Sequence, residues 1–137
     1  MIKLIVLILL GVGGYFAYQY YYTNPFVGEW TFNEVDTFES AKEKIPDSQR
    51  YKAKRAVKAL RGMSYKIEKD GWSMSLKDKT IDSGTYEIAK RSKNCRTINW
   101  ISSKKNFSIA NESCLVGGQM LLTDPIFQFE NVFDRVK

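Results

Sequence analysis

The sequence contains no histidine, only two cysteines and only three prolines among its 137 residues. The absence of histidine removes the commonest general base, the commonest metal ligand and the usual pH-sensitive switch. Two cysteines without a CxxC pair leave too few ligands for a structural zinc site. We therefore expect a protein that is not an enzyme and that holds no cofactor and no metal.

Charge is absent from Leu4 to Tyr22, and Gln19 is the one strongly polar residue there. Nineteen helical residues extend about 28 Å, close to the hydrocarbon thickness of a bilayer. Residues 1–24 are therefore predicted to form a transmembrane anchor, with residues 4–22 in membrane lipid. The alternative is a signal peptide cleaved near Gly11-Val12-Gly13. Four tyrosines at the end of the segment are typical of rings at the headgroup level: Tyr18, Tyr20, Tyr21 and Tyr22.

Basic residues flank this segment unequally. Lys3 precedes it, and after it no lysine or arginine occurs until Lys42. Because positive charge is retained on the cytoplasmic side of a membrane, the N-terminus is predicted to be cytoplasmic. The domain formed by residues 25–137 is then periplasmic or extracellular.

The two cysteines become neighbours if the chain between them is a hairpin. Arg96–Ser102 and Phe107–Ser113 both have strand character, and pairing Ser102 with Phe107 places Cys95 opposite Cys114. Directly opposed residues have Cα atoms about 4.5–5.5 Å apart, which a disulfide tolerates. An extracytoplasmic location permits oxidation, so we predict a disulfide, with two free thiols as the alternative.

The rest of the domain is predicted to be mainly β. Phe26–Asn33 alternates as a first strand, and a helical insertion follows from Asp36 to about Arg61, interrupted at Pro46. About seven or eight strands in up-and-down order then suggest a closed or nearly closed antiparallel barrel. Asp70-Gly71 predicts a tight turn.

In that hairpin, pairing Lys69 with Trp72 sets Ile67 opposite Met74 and Tyr65 opposite Leu76. Both strands then turn the same apolar face inward, which supports the register.

Three short motifs recur in the order found in small bacterial lipocalin-like domains. They are Gly28-Glu29-Trp30 at the first strand, Gly84-Thr85-Tyr86, and Phe129-x3-Phe133-x-Arg135 at the end. The chain resembles that family over most of residues 26–137, although its helix follows the first strand rather than the barrel. The resemblance implies a β-barrel with a general binding role, and an arginine of the last strand, here Arg135, lying over the first-strand Trp30.

Positive charge is concentrated between residues 37 and 69, which hold ten basic residues against four acidic ones. The helix at the centre of this segment is predicted to contact an anionic lipid surface or an acidic protein partner. A merely solvated polar face is the alternative. Nucleic acid is not expected as a partner outside the cell. The basic residues of this predicted surface are Arg50, Lys52, Lys54, Arg55, Lys58 and Arg61.

Aromatic residues at inward positions either fill the barrel or line a ligand cavity. An eight-stranded barrel holds side chains or one small ligand, and side chains this bulky favour a filled core. The residues of the alternative cavity are Trp30, Tyr65, Trp72, Tyr86, Trp100 and Phe129, and Phe127 extends the stripe. Asp78 and Asp82 are interpreted as solvated turn residues.

These features lead to three functional hypotheses. The first is a membrane-anchored, non-enzymatic binding domain that uses its basic helix to contact a partner. The second is an inhibitor or immunity protein that neutralises a toxin or an envelope enzyme. The third is a carrier of a small apolar ligand.

Overall fold

The computed structural model describes residues 2–22, 24–124 and 128–136, and of residues 18–22 the backbone alone. Eight antiparallel strands follow one another in chain order around a closed barrel, in which β1 pairs with β8. The predicted up-and-down barrel with a helical insertion after the first strand is confirmed. The strands are β1 (Gly28–Phe32), β2 (Met63–Ile67), β3 (Trp72–Leu76), β4 (Lys79–Ser92), β5 (Cys95–Ser102), β6 (Ser108–Val116), β7 (Gln119–Thr123) and β8 (Glu130–Arg135).

In the part of the chain that the structure describes, three α-helices accompany the barrel. They are α1 (Ile2–Tyr22), α2 (Glu34–Lys44) and α3 (Arg50–Ala59), and a 3₁₀ turn at Asp47–Gln49 precedes α3. Asn33 caps α2 because its Oδ1 accepts a hydrogen bond from the Asp36 backbone N–H at 2.9 Å. The insertion thus begins two residues before the predicted Asp36.

The insertion has a small core of its own. Apolar residues of α2 and α3 pack together against the connection between β7 and β8: Ala41, Ile45, Ala53, Val57 and Phe129. On α2, the Thr37 hydroxyl accepts a hydrogen bond from the Val132 backbone N–H at 2.8 Å. These contacts fix the α2–α3 hairpin against β8.

The start of β1 is held by the end of β8. Trp30 is fully buried, and the Arg135 guanidinium lies 4.3 Å from its ring centroid. The same guanidinium donates hydrogen bonds to the carbonyl oxygens of Val27 and Pro25 at 3.1 and 3.2 Å. A Cβ on Gly28 would lie 2.8 Å from Arg135 Nη1, so a side chain at this position would displace the guanidinium. The Arg135–Trp30 contact is the one that the resemblance implied.

The register of the β5–β6 hairpin agrees with the prediction. Cys95 pairs with Cys114, and Trp100 pairs with Ile109. The cysteine Cα atoms lie 4.0 Å apart and the two sulfurs form a disulfide. The predicted disulfide is confirmed.

The predicted register of the β2–β3 hairpin was wrong by two residues. Ile67 pairs with Trp72 and Tyr65 pairs with Met74. The turn is longer than predicted, because the Glu68 backbone N–H donates to the Gly71 carbonyl at 2.8 Å. An even shift keeps the same side chains inside, so the alternation could not exclude it.

The barrel has two distinct ends. At the linker end, the chain enters β1 through residues 24–27, and the turns at 68–71, 93–94 and 117–118 lie beside it. At the helical end lie the α2–α3 insertion, the turn at Lys77-Asp78, the tip of the β5–β6 hairpin and the connection from β7 to β8. This division follows from antiparallel order alone, because alternate connections fall at opposite ends.

Helix α1 exposes every side chain described in it, from residue 2 to residue 17. Leu10 and Phe16 keep 68% and 66% of their surface exposed. Within the described residues, no helix combines the length and the apolar character needed to cross a membrane. The predicted transmembrane helix is therefore not found there, and the side chains of the four clustered tyrosines lie outside the described part.

Candidate functional site

A cavity of about 280 Å³ opens at the helical end of the barrel. Tyr65, Trp72 and Trp100 form one wall, with ring centroids 5.8 to 6.4 Å apart. Phe107, at the tip of the β5–β6 hairpin, also lines the cavity and stays 44% exposed. The volume lies just below the range of pockets that hold drug-sized molecules, so the space fits a smaller organic molecule.

Asp82 is the buried charged residue of this cavity. It is 3% exposed, and its Oδ1 accepts hydrogen bonds from the Ser102 hydroxyl at 2.7 Å and from the Ser83 backbone N–H at 2.8 Å. A bulge interrupts the β3–β4 pairing where Ile81 is inserted, next to Asp82. The second carboxylate oxygen of Asp82 accepts no hydrogen bond from a described residue.

The interpretation of Asp82 as a solvated turn residue was wrong, whereas Asp78 does lie exposed in the turn with a φ of 66°. Strand β4 begins at Lys79, well before the predicted start at Gly84. Tyr86 and Ile88 point inward, and Asp82 has the same parity in the strand. The alternation of this strand, continued two residues toward its start, would have placed Asp82 inside.

Other polar groups border the same space. The Trp100 indole N–H donates to Asn111 Oδ1 at 2.7 Å. Asn131 Oδ1 is buried without a hydrogen-bond partner among the described residues. Asp124 also lines the cavity, whereas no lysine or arginine is found among its described lining residues. The cavity is thus apolar and acidic inside a protein whose net charge is +6.

The surroundings of Tyr65 make its hydroxyl less acidic. Burial, and next the negative charge of Asp82, raise the pKa of Tyr65 from its ordinary 10.0 to about 12. Both effects disfavour a phenolate. The hydroxyl therefore stays a hydrogen-bond donor across the physiological range.

Of the aromatic residues predicted for the alternative cavity, Tyr65, Trp72 and Trp100 line it. Trp30 is buried in the barrel core. Tyr86 packs against Trp100 and donates its hydroxyl to the Glu68 and Lys69 carbonyls. Phe129 belongs to the core of the helical insertion, and Phe127 lies outside the described residues. The barrel is filled in its linker half and open in its helical half.

The predicted basic surface lies on α3 and just beyond it. Ala53 and Val57 are buried, and all six predicted basic residues are exposed. Arg50 pairs with Asp47 at 2.8 Å, and Arg61 forms two hydrogen bonds with Glu34 at 2.7 and 2.9 Å.

The Arg61 hydrogen bonds, with smaller contributions from the charges of Arg61 and Lys58, lower the pKa of Glu34. Two of the six basic residues are thus already paired. The other four have no acidic partner within ion-pair distance among the described residues: Lys52, Lys54, Arg55 and Lys58.

Helix α3 and the entry of the linker lie at opposite ends of the barrel. The chain enters at Gly28, and β1 delivers it to the insertion after Phe32. A strand of five residues spans about 16 Å. The basic side chains of α3 are therefore separated from the entry of the linker by about the length of β1 or more, measured along the strand direction.

The disulfide lies at the linker end. Cys95, Cys114 and Glu112 bring three potential ligand atoms within 4.8 Å of one another. The two sulfurs are bonded to each other, so they do not offer thiolates to a metal while the disulfide is intact. This cluster acts as a covalent tie between β5 and β6.

Comparison of the chain with protein-family models, with curated proteins and with solved structures found no match. The assignment to an antiparallel eight-stranded barrel therefore rests on the strand order and register described above.

Proposed function

We propose that this protein is a non-enzymatic binding domain, attached to a membrane through α1, that uses α3 to contact an acidic protein partner on the periplasmic or outer side. The observation that carries the proposal is the set of exposed, unpaired basic side chains on α3, at the end of the barrel remote from the tether.

Attachment to a membrane is supported by the exposed apolar surface of α1. Its side chains from Leu4 to Leu10 are all apolar and all exposed, so the apolar surface surrounds the helix. A groove on a protein covers one face of a helix, whereas lipid covers every face. Exposed apolar area of this extent is unusual for a soluble monomer.

A location outside the cytoplasm is supported by the Cys95–Cys114 disulfide, because disulfides of this kind persist in oxidising compartments.

The position of α3 favours a protein over the lipid surface as its partner. Attraction between a basic side chain and anionic lipid falls off within a Debye length, about 8 Å at physiological ionic strength. With the tether at the linker end, α3 is held on the far side of the barrel. An acidic partner approaching from solution gains association rate from the same positive charge.

The test uses charge reversal on the full chain in its native membrane. The variant Lys52→Glu, Lys54→Glu, Arg55→Glu leaves the Arg61–Glu34 ion pair intact and reverses three of the four basic residues that have no acidic partner among the described residues. The control Lys69→Glu, Lys90→Glu, Lys93→Glu makes the same change in net charge at exposed sites of the linker end.

Cross-linking followed by affinity capture should recover an acidic protein with wild type and with the control, and at least about ten-fold less with the α3 variant. Equal recovery from all three proteins would refute the role of α3. If the captured protein is a toxin or an enzyme, its activity with and without this domain decides whether binding is inhibitory.

Attachment is tested separately by alkaline carbonate extraction of membranes. The full chain should remain in the membrane pellet, and a substitution of Leu7 and Leu10 by aspartate should release it. Recovery of wild type in the supernatant would refute attachment and leave the α3 test standing.

A further inference from the structure

We propose that the cavity at the helical end of the barrel binds a small organic cation, an amine that carries an apolar body. The proposal is independent of α1 and α3, since it concerns the inside of the barrel. It assigns the ammonium group to Asp82 and the apolar body to the aromatic wall.

The carboxylate of Asp82 supplies the first argument. A buried charge is unfavourable unless it is compensated, and the described residues donate hydrogen bonds to only one of the two Asp82 oxygens. No lysine or arginine among the described lining residues offsets it. A ligand with a positive charge and N–H donors would supply both the missing charge and the missing hydrogen bonds.

The aromatic wall supplies the second argument. Trp72, Trp100 and Tyr65 all line the cavity, and the faces of such rings attract cations. The Trp72 indole N–H is occupied by the Thr85 carbonyl at 2.8 Å and that of Trp100 by Asn111. The two indole rings thus contribute π surface rather than free donors to a ligand.

The third argument comes from a further polar group. Asn131 Oδ1 is buried without a hydrogen-bond partner among the described residues and borders the same cavity, so it offers an additional acceptor to a ligand that carries N–H donors. An anionic ligand would face the carboxylate of Asp82, and the described lining residues include no lysine or arginine to attract it. A neutral ligand would leave the charge of Asp82 uncompensated.

The experiment measures binding of three probes of similar size to the full chain in lipid nanodiscs, by calorimetry against empty nanodiscs. The probes are 2-phenylethylamine in its ammonium form, 2-phenylethanol and 3-phenylpropanoate. The ammonium probe should bind with a Kd below about 1 mM and at least about ten-fold more tightly than either of the others.

Two variants test whether Asp82 is the group that binds the ammonium probe. Asp82→Asn keeps the shape and an oxygen that can accept from Ser102, and it should weaken the ammonium probe by about ten-fold or more while changing 2-phenylethanol by less than about two-fold. Asp78→Asn removes an exposed carboxylate at the same end of the barrel and should leave both affinities unchanged.

The comparison of the three probes needs no variant, so it stands even if Asp82→Asn proves unfolded by near-ultraviolet circular dichroism. The proposal is overturned if no probe binds, if the alcohol or the carboxylate matches the ammonium probe, or if a folded Asp82→Asn protein binds the ammonium probe as wild type does. None of these results bears on α3, whose test is independent.

Discussion

Tyr65 should make the stability of this protein sensitive to alkaline pH in a way that a single substitution removes. Its pKa is about 12 in the folded protein and 10.0 when it is unperturbed. Because the folded value is raised, the stabilisation is complete below pH 10 and is lost as pH rises toward 12. A pKa difference of two between the folded and unfolded states contributes about 2.7 kcal/mol to the free energy of unfolding. About half of this contribution, about 1.4 kcal/mol, is lost by pH 11.

The assay is urea denaturation of wild type and of Tyr65→Phe at several pH values between 8 and 11. Other tyrosines and lysines titrate in both proteins, so the pH-dependent difference between the two isolates Tyr65. The substitution itself shifts stability by a constant, which the measurements near pH 8 supply.

Wild type should lose about 1.4 kcal/mol more than Tyr65→Phe between pH 8 and pH 11. Asp82→Asn should reduce this excess, since the negative charge of Asp82 is the second cause of the raised pKa. Parallel loss of stability in wild type and Tyr65→Phe would refute the buried position of this hydroxyl next to Asp82.

Three further variants test the contacts that hold the barrel. Replacing Cys95 and Cys114 by serine should lower the free energy of unfolding by about 3 kcal/mol, because the disulfide closes a loop with a separation of 19 residues; urea denaturation measures it. Gly84→Ala should lower the free energy of unfolding by about 3 kcal/mol, because a Cβ there would lie 1.8 Å from the Ile101 carbonyl oxygen; the fall in melting temperature measures it. Arg135→Lys should lower stability by about 1 kcal/mol, because lysine loses the planar contact over the tryptophan ring and the paired carbonyl hydrogen bonds; thermal unfolding measures it.

Each of these has a matched comparison. Thr85→Ala, at the exposed neighbour of Gly84, should change stability by less than about 1 kcal/mol. Dithiothreitol should destabilise wild type and have no effect on the cysteine-free protein. Arg135→Met, which cannot donate to a carbonyl, should be at least as destabilised as Arg135→Lys, and a Met variant as stable as wild type would show that the guanidinium contributes nothing.

The β2–β3 hairpin shows where prediction from the sequence reached its limit. The alternation correctly identified Tyr65 and Ile67 as inward residues, but it assigned them to partners two positions away from those observed. Alternation has a period of two, so it determines the face of a residue and is silent on even shifts. The length of the turn selects among them, and that depends on hydrogen bonds such as Glu68 to Gly71.

The register of the β5–β6 hairpin was predicted correctly from the strand pattern and the short turn. Pairing Ser102 with Phe107 opposed Cys95 to Cys114, and the disulfide predicted from that register is the one observed. The basic residues of α3 were likewise visible in the sequence, since a helical period places Ala53 and Val57 on one face and the charges on the others. Which of those charges are neutralised was not visible, because Glu34, the partner of Arg61, comes from the other end of the insertion.

The sequence by itself determined the local properties of this protein: the apolar N-terminal segment, the inward faces of the strands, the basic helix and the pairing of the cysteines. Each of these depends on neighbours in the chain or on a period within one element. The tertiary structure alone decided that the barrel is filled at one end and hollow at the other, that Asp82 faces the hollow, and that α3 lies at the end opposite the entry of the linker. Those facts depend on which strands meet and at which end each connection falls, and closure of the sheet brings together residues that no local period relates.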